Sequence, residues 1–551
     1  MKPLTLLLIA VTASLAGQTT FGQAAPSTQP AKHDPLGFLT SKLHDPKHTT
    51  NVLAALRASE DPDLLPMFEA FCRSGDKDYR LFATAALAQI GKDKAKDALS
   101  QRLADDPSPA VRIEAMLGLS TLKLITPQQA VEAMKSPDEQ LQMIAARSAA
   151  RMAAGTQPSG DESLAQQAEK TLEKLVGSRD GATAAMARMS LLSLGNKDQA
   201  VPLAKLLQDD KTPAEVVALV LDQVASEKIV AAAELVRPLA QGERPWQVRL
   251  RAFRAVSAID PKAGDALAAE IKKSDQTVFR VHLYRLLAVR GDSAKHLEDL
   301  AKGDDAIAAL ARFDMAKAQC QSDKLTATQP GSQQASSQAS PAQVAKASQA
   351  AVEAVKLLHP VVLDYVLDRG RDDLDMASGT QDARTTAGDA TVSCGPDIYT
   401  AALLHMLRNV EGDATHVKAE HVRAVRAATL LCDMGTPDGI AGLRSLLSGK
   451  YTTAMRLAAT GLLRSQNKAA CDLMRPLLAS PYQEMSHDAA LVLGRFGDKD
   501  ARPSLLEIAS KSDRHPMLLV VLANWYILKI DEQSKAAAAA LAKDALMATP
   551  S

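Results

Sequence analysis

The segments YRLFATAALAQIG (Tyr79–Gly91) and VRIEAMLGLSTLK (Val111–Lys123) decide the fold. Aligning Arg80 with Arg112 superposes them at a step of 32 residues. VRLRAFRAVSAID (Val248–Asp260) and FRVHLYRLLAVRG (Phe279–Gly291) repeat the pattern 31 residues apart, Arg249 against Arg280. MRLAATGLLRSQN (Met455–Asn467) and HDAALVLGRFGD (His487–Asp498) do so again, Arg456 against His487, and HVRAVRAATLLCDMG (His421–Gly435) lies about one step earlier. Each block reads apolar–Arg, a small residue three positions on, leucines at helical spacing, then a Gly, Asn or Asp stop about 11 residues after the arginine.

A short turn and a second amphipathic stretch follow each block: DKAKDALSQRLAD after Gly91, KAGDALAAEIKKS after Asp260, PDGIAGLRSLLSG after Gly435 and ARPSLLEIASKS after Asp500. Leu505, Leu506 and Ile508 fall on one helix face. Glycine after the first helix predicts a left-handed cap, and Asp or Pro opening the next segment suits a helix N-terminus. Two helices of roughly 11–14 residues with two short turns fill the period. One such hairpin cannot bury both its faces, so neighbours must stack. The expected fold class is all-α, an α-solenoid (alpha-alpha superhelix) of about ten helical hairpins with a period of about 31 residues.

Asp106-x-Ser108-Pro109-x-Val111-Arg112-x-x-Ala115, and the weaker Glu243…Val248-Arg249…Ala252, resemble armadillo-like HEAT repeats, particularly the short bacterial type named after phycobilisome lyases. The resemblance covers roughly residues 50–320 and 400–548. It implies a ladder in which an aspartate before the first helix bonds to the arginine of neighbouring repeats. Asp106 with Arg112 fits, Glu243 with Arg249 is a substitute pair, and Arg280 holds the same ladder position. Lys450 stands where Met455-Arg456 would want an acid. The resemblance also implies first helices on a convex side and second helices on a concave side, with protein partners on the latter. Such a motif is specific for fold and poor for function. Two enzyme classes share this fold. Deoxyhypusine hydroxylase-like proteins use His-Glu dipeptides, and this chain has none; bilin lyases leave no readable signature here.

Composition agrees with that class. Of 551 residues, 46% are apolar, only 3% are aromatic and 98 are alanine, a mixture suited to tightly packed helices rather than to β-sandwiches or propellers. Lys+Arg and Asp+Glu are both 64, which argues against a basic nucleic-acid binder and an acidic disordered tail. Met1-Lys2, the apolar run Leu4 to Gly17 and the small residues of Gly22-Gln23-Ala24 read as a signal peptide, residues 1–24, cleaved near Ala24. The mature chain is therefore expected to be exported, periplasmic or secreted, with no transmembrane span. Residues 25–50 are expected to be extended, 51–320 a first array, 321–350 a Ser/Gln/Ala-rich linker or insertion, 351–399 a helix kinked at Pro360 plus a polar loop, and 400–548 a second array. Either a linker joins two arrays or one array carries long insertions in its turns.

Chemical motifs are few. Cys72, Cys320, Cys394, Cys432 and Cys471 form no C-x-x-C; Cys72, Cys432 and Cys471 lie in apolar helical patterns as small core residues, with a Cys432–Cys471 bridge as the alternative, and Cys394 is the most reactive. Gly442 to Lys450 mimics a phosphate loop but lacks the Ser/Thr and lies at a helix C-terminus, which repels phosphate. His405, His416 and His421 with Glu411 and Asp413 are the densest ligand-type cluster, yet His416 and His421 are five apart and miss the facing geometry of a helical metal pair. No catalytic, metal or cofactor-binding residue is assigned and no cofactor is expected. From Arg237 to Arg290, eleven Lys/Arg face five Asp/Glu, interleaved with Trp246, Phe253, Phe279 and Tyr284. Arg249 and Arg280 belong to the ladder; Arg251, Arg254 and Arg285 are left for a partner. The functional expectation is a non-catalytic protein-binding scaffold in the cell envelope or outside the cell. The second reading is an enzyme or enzyme-regulating subunit with metal or lyase-like activity.

Overall fold

In the computed structural model, the structure describes residues 33–45, 47–155, 162–207, 212, 214–226, 228, 230–241, 244–271, 279, 283, 298, 301–303, 305–326, 341–357, 360–377, 397–410, 418–511 and 515–547. Every regular element among them is helical. The chain forms two compact units: Pro35–Leu283 with Glu532–Ser551, and Met1–Asp34 with Tyr284–Asp531.

The first unit opens with α1 (Pro35–Leu43) and continues as seven helix pairs. These are α2 (Thr49–Ala58) with α3 (Leu65–Phe71), α4 (Lys77–Ile90) with α5 (Lys96–Asp105), α6 (Pro109–Thr121) with α7 (Pro127–Met134), and α8 (Glu139–Gly155) with α9 (Glu162–Leu175). Then come α10 (Gly181–Ser193) with α11 (Ala200–Leu206), α12 (Ala214–Ser226) with α13 (Ala233–Gln241), and α14 (Trp246–Ile259) with α15 (Pro261–Ile271). First helices stack in one row, α2 on α4 and onward to α14, and each second helix from α3 to α13 packs on the next first helix. The repeat period measured from the sequence is therefore one step along this row.

The second unit holds α16 (Ala306–Thr326) with α17 (Pro341–Lys356), α18 (Pro360–Ala377) with α19 (Asp397–Arg408), and α20 (Ala419–Met434) with α21 (Pro437–Leu447). It continues through α22 (Thr453–Leu462) with α23 (Ala469–Met474), α24 (Gln483–Arg495) with α25 (Arg502–Ser510), and α26 (Met517–Ile530). The same two rows recur: α18, α20, α22, α24 and α26 stack successively, as do α17, α19, α21 and α23. The last helix, α27 (Ser534–Met547), returns to the first unit, packing on α3 and α1. Ser534 Oγ donates to Asp63 Oδ2 at 2.8 Å. Both units thus have the expected all-α, α-solenoid class.

Local chemistry explains the elements. Asp76 caps α4, its carboxylate accepting from the backbone N–H of Asp78 and Tyr79, while Thr126 and Gln129 form a capping box on α7. Ala83, Ala86, Leu87 and Ile90 of α4 and Val111, Ala115, Met116 and Leu119 of α6 are buried, at the spacing of one helix face. Burying each leucine contributes roughly 1.5–3 kcal/mol, and alanine between them lets the backbones approach.

Several expectations are corrected. Twelve pairs stand among the described residues, not about ten. Pro35–Leu43 is helical rather than extended, because Leu39 and Leu43 are buried on one face. Residues 341–350, taken as low-complexity, begin α17, whose buried stripe is Ala347, Ala351, Ala354 and Val355. Alanine supplied the packing face there, so a Ser/Gln/Ala composition concealed a helical period. Pro360 starts α18 instead of kinking a longer helix, as proline does in a first turn. Gly435 is the expected left-handed cap at φ 63°. Gly91 is not: its φ is −77°, Lys92 takes the positive φ, and a Cβ at Gly91 would lie 2.5 Å from Ala95 Cβ. The expected signal peptide, residues 1–24, and Cys394 lie outside the described residues.

Helices α20 and α22 approach closely at a glycine. A Cβ on Gly461 would lie 2.5 Å from Ala428 Cβ, 2.8 Å from Val425 O and 3.1 Å from Thr429 N, and Thr429 Oγ1 donates to Gly461 O at 2.9 Å. Helix propensity favours alanine over glycine by about 1 kcal/mol. Overpacking against backbone wins here, so Gly461→Ala is expected to destabilise the chain by about 1–3 kcal/mol in urea titration; a gain in stability would contradict this contact.

Candidate binding surface

Asp106 ends α5 in extended backbone, three residues before α6 begins, and its carboxylate is buried. Arg80 of α4 meets it in a two-pronged pair, Nε to Oδ2 at 2.8 Å and Nη2 to Oδ1 at 3.1 Å. Arg80 Nη1 also donates to Ser74 O and Gly75 O, at 2.9 and 3.0 Å. Arg102 Nη1 adds donations to Cys72 O at 2.8 Å and Asp106 Oδ2 at 3.3 Å, and the Ser108 N–H donates to Asp106 Oδ1 at 2.9 Å. One carboxylate therefore ties α4, α5 and the start of α6 together, with its lone pairs satisfied.

The expected Asp106–Arg112 pair is not formed. The ladder arginine reaches forward: Arg80 of one repeat meets the acid that precedes the next first helix. By the same register, Ser74, Asp106 and Ser136 are equivalent, as are Arg80, Arg112 and Gln142. In this register the position facing Arg112 is Ser136, which has no carboxylate, and Arg112 Nε is buried without a hydrogen-bond partner. Arg112 instead lines a cavity of about 440 Å³ between α5, α7 and the start of α8, together with Leu103, Gln128, Glu132 and Ser136.

The family model for HEAT repeats matches residues 38–120. Over that stretch the chain is similar to HEAT repeats. The sequence matches no curated protein. Among solved structures the chain is similar to the karyopherin Kap121p bound to the extreme C-terminus of the protein phosphatase Cdc14p, with TM-score 0.36, 11% identity, and coverage of 97% of this chain and 63% of that one. It is also similar to Kap121p bound to the SUMO protease Ulp1p (0.36, 12%, 87% and 57%) and to the Kap95:Nup1 complex (0.33, 15%, 85% and 56%). The chain thus spans less than two thirds of those first relatives' length.

Further along the first array, part of the basic strip has internal partners. Trp246 is half-buried, and Phe253 and Phe279 are buried. Arg249 donates from Nε to Ala240 O at 3.3 Å and lies over the Phe279 ring at 4.4 Å. Arg251 pairs with Asp222 at 3.2 Å in a partly exposed ion pair, and Arg254 is exposed. Glu243, Arg280, Arg285 and Tyr284 lie outside the described residues. In the second array, Arg423 grips Asp364 with two bonds of 3.0 and 2.9 Å, and Arg426 reaches Asp368 at 2.8 Å, linking α20 to α18. Arg456, where Lys450 displaces the ladder acid, has Glu484 at 3.9 Å.

Cys72, Cys432 and Cys471 are buried free thiols, so the Cys432–Cys471 bridge is absent; burial pushes Cys72 and Cys432 up to about 11, which keeps them unreactive. His421 is buried and His405 partly buried; Glu411, Asp413 and His416 lie outside the described residues.

Two buried polar groups escaped the sequence reading. Tyr365 Oη donates to Asp314 Oδ2 at 2.5 Å and Lys317 Nζ donates to Tyr399 Oη at 2.9 Å, joining α16, α18 and α19. All four side chains are buried, and burial with the Asp314 charge holds the Tyr365 hydroxyl well above its usual range. The signal was present in α16: Asp314 and Lys317 stand four and seven positions after Leu310, on its buried stripe. In α24, His487 packs edge-on against His515 at 4.7 Å, and Asp488 beside it is buried.

These sites give two tests. Removing one partner of a buried ion pair strands the other, so Asp106→Ala is expected to cost about 3–5 kcal/mol, and the double replacement Arg80→Met with Asp106→Leu far less. Equal losses in the two proteins, measured in urea, would dismiss the ladder as a stabilising pair.

The second test concerns pH. Burial pushes the Asp488 carboxyl up to about 7 from 3.8, with Glu484 adding to it; the folded chain keeps a proton the unfolded chain releases, so this group lowers stability as pH rises from about 4 to 7. Burial beside His515 brings His487 down to about 4 from 6.5; here the unfolded chain binds the extra proton, so stability rises with pH from about 4 to 6.5. Relative to wild type, Asp488→Asn should therefore gain stability between pH 4.5 and 6.5, and His487→Asn should lose it. Guanidinium unfolding at both pH values reads the signs, and matching signs would refute the assignment.

Proposed function

We propose that the chain is a non-catalytic scaffold that holds protein partners along its second-helix row, in the cell envelope or outside the cell. The observation that carries this reading is the division of labour between the rows. First helices pack both on one another and on second helices, whereas α5, α7 and α9 turn a polar, mixed-charge stripe to solvent that includes Gln101, Gln128, Glu132, Gln167 and Lys170. A row of this kind engages an extended partner through many modest contacts rather than one deep pocket. Export rests on the positive start at Lys2, the apolar run to Gly17 and the small residues before Ala24. No described helix is long and apolar enough to cross a membrane. The enzyme reading gains no support from the buried pairs Asp314–Tyr365 and Lys317–Tyr399, which a substrate cannot reach.

Photocrosslinking in intact cells tests this directly. A benzophenone amino acid placed at Gln101 or Glu132 is expected to capture a discrete protein, and the same group at Leu117, exposed on first helix α6, is expected not to. Capture from Leu117 alone, or from none of the three, would sink the proposal. N-terminal sequencing of the mature chain checks the export step, for which cleavage near Ala24 is expected.

A further inference from the structure

The repeat around α6 has a ladder arginine and no ladder acid. In the preceding repeat, Arg80 is saturated by Asp106, Ser74 O and Gly75 O. The side chain of its counterpart Arg112 makes no hydrogen bond or ion pair among the described residues, and its Nε is buried. Ser136 explains why. Its Oγ accepts from the Asp138 N–H at 3.1 Å, reproducing the turn bond that Asp106 Oδ1 makes to the Ser108 N–H at 2.9 Å. Serine therefore satisfies the backbone half of the aspartate's role and leaves out the half that faces the arginine. Gln142 completes the interruption: its Nε2 turns back to Ser136 O, as Arg80 turns back to Ser74 O, but a neutral amide passes no charge to the next repeat.

An unpaired guanidinium next to open volume has a specific complement. The cavity of about 440 Å³ beside Arg112 is walled by Leu103, Ala133 and Leu141 on its apolar side and by Gln128, Gln129 and Ser136 on its polar side. Glu132 also lines it, with its charge engaged by Lys135 Nζ at 2.8 Å. Guanidinium pairs with carboxylate through two parallel bonds, the geometry already realised at Arg80.

We infer that this cavity receives a carboxylate from outside the repeat, which takes the place of the missing ladder acid on Arg112. The inference deepens the scaffold reading by giving its second-helix row one anchoring site for an acidic side chain. Small free carboxylates share the chemistry, and the experiment separates the two sources. Without an occupant Arg112 has no acid to meet between α6 and α8; an occupant supplies that one rung. Ligand binding is thereby coupled to the cohesion of the array.

Fluorescein-labelled hexaglutamate, with hexaglutamine as control, is titrated into the full chain at low salt and followed by anisotropy. Wild type is expected to bind hexaglutamate and not hexaglutamine. Arg112→Gln is expected to weaken binding at least tenfold. Ser136→Asp, which supplies the acid internally, is expected to weaken it at least tenfold while raising Tm, a gain that a merely damaged fold cannot give. Unchanged affinity in both variants, or wild-type binding no better to hexaglutamate than to hexaglutamine, overturns the inference. Competition by glutarate at matched carboxylate concentration assigns the site to small acids; competition by unlabelled hexaglutamate alone assigns it to a protein's side chain. Either result upholds the carboxylate on Arg112. Crosslinks from Gln101 that persist in Arg112→Gln, together with unchanged hexaglutamate binding, would remove this inference and leave the scaffold proposal standing.

Discussion

A helical hairpin of about thirty residues leaves an apolar side of each helix uncovered, and only another hairpin can cover it. Everything else in this molecule follows from that requirement. The first-helix row is built from residues small enough to bring backbones together, so Gly461 lies against Val425 and Thr429 and Gly118 against Ala88. The abundance of alanine is the compositional trace of this close approach. The row has an end, and α27 returns to cover the side of α3 and α1 that no earlier hairpin can reach.

Stacking alone fixes distance poorly, because alanine faces slide; polar ties between repeats fix register. Asp106 does so in the first unit by joining three successive helices through one buried carboxylate. In the second unit the same task falls to Asp364 and Asp368, which face Arg423 and Arg426, and to the buried Asp314, Lys317, Tyr365 and Tyr399. The second set is buried deeply enough that mispairing leaves unsatisfied charge, which enforces one arrangement of α16, α18 and α19. The first ladder is interrupted at Ser136, and an interruption in a register device is also an opening for something else to complete it.

Much of the architecture was legible before any coordinates. The step of 31 or 32 residues, the arginine opening each first helix and the leucine spacing each report a local constraint, so they survive in the sequence. The failures were of two kinds. In α17 the buried stripe is alanine, which carries little hydrophobic contrast against Ser and Gln, so periodicity was invisible although packing was real. At Asp106 the pairing rule was visible but its direction was not: the acid and Arg112 are six residues apart in the chain, yet the arginine that reaches it is Arg80, one helix back.

The sequence by itself determined the class of fold, the period and the helix caps, because each depends on residues within a turn or two of one another. Tertiary structure alone decided which arginine meets which acid, which of the basic residues near Arg251 remain exposed, and that Arg112 has no counter-ion among the described residues beside open volume. Those outcomes depend on where one repeat places its side chains relative to the next, a distance set by the summed thickness of packed helices rather than by any neighbouring letters in the chain.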